Sequence, residues 1–199
     1  DGMGSMGNGG AMRVAPIGAY FADDLDKVLY YARASAEVTH AHIEGIAGAM
    51  AAAVASALLL NKKLGCYFGE GETFVRDIAD KLPECDTKYK ILTAASVPRE
   101  SSIDFAVSVL GNGMMLTAPD TVPFCLWCAA YHYDSMEEAL WTAVSALGDR
   151  DTICAIVGGM VSLYADKLPQ QWLSYMERPE DSQFFPPEKN GFVHQNEGG

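Results

Sequence analysis

Two carboxylates and a hydroxyl crowd the run Gly148-Asp149-Arg150-Asp151-Thr152, immediately ahead of an apolar helical pattern. Residues two apart diverge on a helix, but in the bend before one they can converge. Asp149, Asp151 and Thr152 then offer hard oxygen ligands of the kind that suit Mg2+ or Mn2+. A single Asp would serve as a helix N-cap in the favourable field of the helix dipole. Capping and metal binding both remain open readings of this run.

Three further groups invite chemistry. Gly2-x-Gly4-x-x-Gly7 spells a dinucleotide-binding fingerprint, but that motif works only between a strand and a helix, and no strand pattern accompanies it. The loop Ser5 to Gly10 still presents backbone amides ahead of a helix, which suits a phosphate or other polar ligand. A glycine-rich lead-in turn explains it equally well. Cys125, Cys128 and His132 fall on one helical face, yet a zinc site needs four ligands and no second pair exists. Buried thiols among Phe124, Leu126 and Trp127 fit better. In Thr39-His40-Ala41-His42 the two imidazoles would diverge on a helix, so one can line a pocket but both cannot hold one ion.

These residues need elements to place them, and the periodicity is helical almost throughout. Helices are predicted over Met12 to Phe21, bent by Pro16 and Gly18, and over Asp23 to Val38. Thr39 is predicted to cap a long helix from His40 to Leu60. Others follow at Thr73 to Leu82, Asp86 to Ala95 and Ser101 to Leu110, the last closed by the turn Gly111-Asn112-Gly113. An aromatic-rich helix is expected over Asp120 to Tyr131. Asp134 and Glu137 spell a capping box for a helix ending at Leu147. Thr152 to Ala165 stacks Ile153, Ile156, Val157, Met160, Val161 and Tyr164 on one face, with Gly158-Gly159 marking close helix contact. A short helix at Pro169 to Met176 closes the series. The expected organisation is an all-α bundle over residues 1–176 and an extended polar tail over 177–199.

Composition narrows the partners. The chain has 199 residues and a formal net charge of −12, from 26 acidic and 14 basic side chains. Phosphate scaffolds are bound by clustered Lys and Arg, so nucleic-acid binding is excluded as an expectation. Five cysteines, an odd number without repeated spacing, read as reduced thiols and a cytoplasmic setting. No secretory signal pattern is present. The uncharged stretch Gly45 to Leu60 holds seven alanines in 16 residues and reads as a core helix rather than a membrane span.

Several of these features occur together and in order in one known family. Gly4-Ser5-Met6-Gly7-Asn8-Gly9-Gly10-Ala11-Met12-Arg13, then Thr39-His40, then Gly148-Asp149-Arg150-Asp151-Thr152 resemble the ADP-ribosylglycohydrolases, which include the enzyme that removes ADP-ribose from dinitrogenase reductase. Thr121-Val122-Pro123-Phe124, Ala155-Ile156-Val157-Gly158-Gly159, Leu168-Pro169 and Trp172 extend the match to about residues 4–175.

The resemblance implies an all-α orthogonal bundle. It also implies a hydrolase that uses two Mg2+ or Mn2+ ions to cleave ADP-ribose from a protein side chain or small acceptor. Asp149, Asp151 and Thr152 would be metal ligands. Gly4, Ser5, Met6, Gly7 and Asn8 would wrap the ADP-ribose, and His40 would line the same pocket. Arg13 is assigned a structural role inside its helix. The family also carries a Gly-Asp-x-x-Gly motif and a Thr-Asp-Asp cluster upstream, which supply the remaining ligands and the acidic catalytic residue. Neither occurs in this sequence, so no catalytic residue is named, and a missing N-terminal portion or another chain is an expected partner. The alternative is a non-catalytic ADP-ribose-binding or structural member, as the family's jellyfish lens crystallins are. ADP-ribose itself, or a protein bearing it, is the expected ligand; no membrane partner is expected.

Overall fold

A computed structural model describes residues 4–165 and 167–175. These fall into two units divided between Lys167 and Leu168. The first is all-helical. A 3-10 helix spans Asn8–Arg13, followed by α1 (Ala15–Tyr20), α2 (Leu25–Glu37), α3 (Ile43–Lys63), α4 (Gly71–Ala79), α5 (Asp86–Ala95), α6 (Ile103–Leu110), α7 (Ala118–His132), α8 (Met136–Val144) and α9 (Arg150–Val161). The second unit contributes α10 (Gln170–Leu173). Among the described residues the only β-pairing is an isolated antiparallel bridge between Gly7 and Thr117. The polar tail expected over 177–199 lies outside the described residues.

Helix α3 is the axle. The 3-10 helix and α1, α2, α4, α5, α7 and α9 all pack on it. It is buried from Glu44 to Leu59, so it is apolar all round rather than striped. By length and composition it could cross a membrane, but nearly all of that window is buried inside the fold. Its alanines and glycines bring neighbours unusually near. A Cβ at Gly48 would sit 2.7 Å from the Ala118 Cβ on α7. A Cβ at Gly18 on α1 would press into the Ala53 carbonyl. Close approach of backbones, more than bulk of side chain, is what this helix contributes.

Several helix ends differ from the sequence reading. The expected helix over Met12 to Phe21 is two elements, because Pro16 lies in the first turn of α1, where its missing N–H costs nothing. Thr39 does not cap α3; the cap is the His42 imidazole, whose Nδ1 accepts the Glu44 N–H at 3.2 Å. The capping serine of α8 is Ser135, which accepts the Glu138 N–H at 3.3 Å, one residue along from the expected Asp134. Helix α7 begins at Ala118 rather than the expected Asp120, which leaves Pro123 inside it. Asp24 and Ser102 cap α2 and α6 as short polar residues commonly do.

A buried carboxylate ties α3 to α5. Glu44 accepts the Asp86 N–H at 2.9 Å, the Thr87 N–H at 2.7 Å and the Thr87 hydroxyl at 2.5 Å, closing the open amides of the α5 N-terminus. Burial by itself raises this carboxyl's pKa, but the Thr87 hydroxyl and the two amides outweigh it and hold the group below its ordinary value of 4.5. The folded state therefore binds a proton here less readily than the unfolded chain. Its contribution is complete above pH 4.5 and fades as pH falls through the lower folded value. Glu44→Gln is expected to cost about 2 kcal/mol at pH 7, since it leaves a buried donor unsatisfied. Urea unfolding checks this, and the difference from the parent chain shrinks as pH drops below the folded value; a constant difference would contradict it.

Candidate functional site

Three segments far apart in sequence meet at one side chain. Asn8 opens the 3-10 helix and is buried. Its amide Nδ2 donates to Thr121 Oγ1 at 3.0 Å and to Asp149 Oδ2 at 2.9 Å. Thr121, on the first turns of α7, passes its own hydroxyl proton to the Thr117 carbonyl at 2.8 Å. Asp149 stands at the N-terminus of α9. The glycine loop, α7 and α9 are thus joined at the point where the carboxylates lie.

The glycine loop is held along its length. The Asn8 N–H donates to the Leu116 carbonyl at 3.2 Å, and the Ala118 N–H donates to the Met6 carbonyl at 2.9 Å. The Gly7 N–H donates to Ser5 Oγ at 3.2 Å. The amides of Gly7 and Asn8, read from sequence as exposed donors for a ligand, are therefore committed within the chain. Met6 and Gly4 face outward.

Asp149 sits in a cradle that the sequence reading treated only as a turn. Its N–H donates to the Asn112 carbonyl at 3.0 Å, and Asn112 Nδ2 donates to the Ala146 carbonyl at 3.1 Å. Gly113 adopts φ +82°, and a Cβ there would stand 2.7 Å from the Asp149 Cβ. Leu116 and Leu147, which flank the same region, are the two non-glycine residues with left-handed backbone, at φ 55° and 58°, among those described. Such strain persists where surrounding contacts over-determine the chain, as they do here.

The Asp149 carboxylate makes no capping hydrogen bond to its own helix. Asp151 is exposed in the first turn of α9 and Thr152 is buried behind it. The Asp151 pKa is lowered, first by a side-chain hydrogen bond with Asp149 and then by the backbone amides of Thr152 and Asp151. The residues expected as metal ligands therefore gather at one helix end. Among the described residues, no group of three His, Cys, Asp or Glu forms a metal-holding cluster. The oxygen set in hand is two carboxylates and one hydroxyl.

His40 reaches the loop from the turn between α2 and α3. Its ring lies across two bare Cα positions. A Cβ at Gly9 would meet Cε1 at 2.9 Å, and one at Gly7 would meet Cδ2 at 3.1 Å. The imidazole thus lies close over Gly7 and Gly9. Burial, followed by the Arg13 charge, lowers the His40 pKa, so the ring is neutral near pH 7. Arg13 leaves its 3-10 helix to donate from Nη2 to the Ser35 carbonyl and to Thr39 Oγ1, each at 2.7 Å.

An open cleft of ≈ 530 Å³ runs beside the loop, walled by Met6, Tyr89, Met115, Thr117 and Asp120. Tyr89 and Met115 carried no chemical signal in the sequence, and Thr121 entered only as part of the Thr121-Val122-Pro123-Phe124 match. The double glycine around Asn112 was a signal, but for a turn only. The cysteine reading is unchanged in kind: all five thiols are free, and burial pushes Cys125 and Cys128 well above the ordinary thiol range. Such thiols are poor nucleophiles and poor ligands.

The sequence pattern of ADP-ribosylglycohydrolase matches residues 1–186. An uncharacterized protein of Archaeoglobus fulgidus is 33% identical over 174 residues, covering 86% of this chain and 54% of its own. The human ADP-ribosylhydrolase ARH3 is 32% identical over 213 residues, covering 92% of this chain and 57% of its own. The same-named protein of Gallus gallus is 28% identical over 217 residues, with coverages of 92% and 56%. The chain spans about half the length of the curated relatives it matches.

Proposed function

This chain belongs to the ADP-ribosylglycohydrolase family, and on that premise we propose that it carries part of a metal-dependent site that hydrolyses ADP-ribose from a protein side chain or small acceptor. The meeting of Asn8, Thr121 and Asp149 supports this reading best, because these hydrogen bonds tie the glycine loop to the carboxylate at the start of α9. Gly4, Ser5, Met6, Gly7, Asn8 and His40 would border the ADP-ribose. Asp149, Asp151 and Thr152 would hold Mg2+ or Mn2+, and their all-oxygen chemistry fits such hard ions. When bound, two cations would supply Lewis acidity toward ribose hydroxyls and a water. A full ligand set for two ions exceeds what the described residues offer, so further ligands would come from outside them.

The loop's own role is to orient. Asn8 fixes Asp149 by one amide proton and Thr121 by the other, so the carboxylate cannot rotate away without breaking a half-buried bond. The cleavage would pass through a transition state with positive character on the sugar, as in other glycoside hydrolyses. The five free thiols support a reducing, cytoplasmic setting. Calorimetric titration with ADP-ribose tests the reading. Binding that tightens when Mg2+ is added is the expected result, and absence of heat under both conditions refutes it. Release of ADP-ribose from arginine- or serine-linked peptides then separates a hydrolase from a binding protein.

A further inference from the structure

We propose that Arg13 is a positioning residue that acts through Thr39 to fix His40 as the Nε2–H tautomer, presenting that N–H beside the glycine loop to an oxygen acceptor of a bound ligand. The use made of it rests on the ADP-ribose reading above; the relay itself does not.

The geometry is a chain of two short contacts through three side chains. Arg13 Nη2 donates to Thr39 Oγ1 at 2.7 Å, and Thr39 Oγ1 lies 2.7 Å from His40 Nδ1. A guanidinium has only donors, so the threonine oxygen must accept from it. That leaves the hydroxyl's single hydrogen free, and the nearby positive charge orients it away from Arg13. Donated to Nδ1, it completes a chain in which every dipole points the same way, the arrangement in which hydrogen bonds reinforce one another. An Nδ1–H ring would instead set two donors on one oxygen and aim a third hydrogen elsewhere. With Nδ1 accepting, the neutral ring carries its proton on Nε2.

Several other bonds hold the relay. Arg13 Nη2 also donates to the Ser35 carbonyl at 2.7 Å, and Arg13 Nε reaches Ser35 Oγ at 3.5 Å, so the guanidinium is anchored to α2 at a second point. The His40 N–H donates to the Ala36 carbonyl at 2.7 Å. Nε2 itself makes no hydrogen bond to a described residue, and it lies 3.0 Å from where a Gly9 Cβ would be and 3.2 Å from that of Gly7. The ring edge that carries the free N–H is therefore the edge packed on the loop. A phosphate or hydroxyl oxygen held by that loop is the acceptor chemistry it suits. The side chain expected to act only inside its helix thus leaves it to set the state of a ring on another segment.

Nitrogen-15 NMR of the imidazole at pH 8 reads the tautomer directly, with His40 signals identified by their loss in His40→Gln. The parent chain is expected to show Nε2 protonated and Nδ1 bare. Thr39→Ser is expected to keep that pattern, while Thr39→Val and Arg13→Met are expected to give a mixture of tautomers. Each of the last two should weaken ADP-ribose binding about tenfold, the loss of roughly one oriented hydrogen bond. An Nδ1–H ring in the parent, or an unaltered tautomer in Arg13→Met with an unchanged melting temperature, overturns the relay. If the tautomers behave as stated and ADP-ribose fails to bind the parent chain, the relay stands and the ligand reading falls.

Discussion

Gly148→Ala is expected to destabilise the chain by about 3 kcal/mol, at the upper end of what a single added methyl costs in a packed site. A Cβ at this position would drive into the Asn112 carbonyl oxygen and crowd the Asn112 side-chain carbon. The obstruction is backbone and cannot rotate aside. That same carbonyl accepts the Asp149 N–H, so any shift that relieves the clash moves Asp149 as well. Leu147, immediately before, is already in the left-handed region and has no freedom to absorb the change. For a chain of this size the fall in melting temperature is roughly 6–12 °C. Two controls bracket the result. A Cβ at Gly4 meets nothing within 4 Å, and one at Gly158 makes only an ordinary 3.5 Å contact with Leu140 Cδ2. Gly4→Ala should be neutral, and Gly158→Ala should be neutral or stabilising, since it removes a glycine from a helix interior. A Gly148→Ala chain as stable as these controls would show that the Asn112 turn yields, contrary to the cradle described.

Removing both α9 carboxylates is expected to have the larger effect on ligand binding. In Asp149→Asn with Asp151→Asn, apparent Mg2+ affinity should fall by at least about 100-fold, and ADP-ribose binding should cease to respond to Mg2+. Asparagine is preferred over alanine for a structural reason. Asn8 donates to Asp149 Oδ2 from a buried position, and the carbonyl oxygen of an amide in place of that carboxylate can still accept the proton. Asp149→Ala would instead strand one Asn8 N–H and cost about 1–2 kcal/mol of stability. The amide pair thus separates loss of charge from loss of fold. Because the Asn8 bond can be kept, the melting temperature without Mg2+ should hold. Unchanged Mg2+ dependence in the folded double variant would refute Asp149 and Asp151 as ligands.

Much of this molecule is legible in one dimension. Helical spacing of apolar residues located every principal helix, because burying one face of a helix demands a repeat near 3.6 whatever it packs against. The all-α fold followed from that repetition. The glycine loop, Thr39-His40 and the Gly-Asp-x-Asp-Thr run were visible for the complementary reason that their residue types are unusual and closely spaced. Helix ends were less legible. Asp134 and Ser135 are adjacent capping residues, and choosing between them takes the direction in which the chain arrives. His42 capping α3 follows no common capping preference, and only the turn after α2 makes its ring available.

The tertiary structure alone decided which of these residues touch. Asn8 and Asp149 are 141 positions apart and meet at 2.9 Å. No local pattern encodes that distance, because it depends on how the 3-10 helix, α7 and α9 all lean on α3. The glycines changed meaning for the same reason. In sequence they signify a flexible loop with open amides. In the fold, an imidazole lies close over Gly7 and Gly9, and Gly113 and Gly148 are bare so that Asp149 can be held. A missing side chain says that something comes close, and only the folded chain says what. The sequence by itself determined the family, the helices and the residue types of the site. The partners of those residues were decided by packing, where contacts are set by the summed geometry of many helices rather than by any short run of residues.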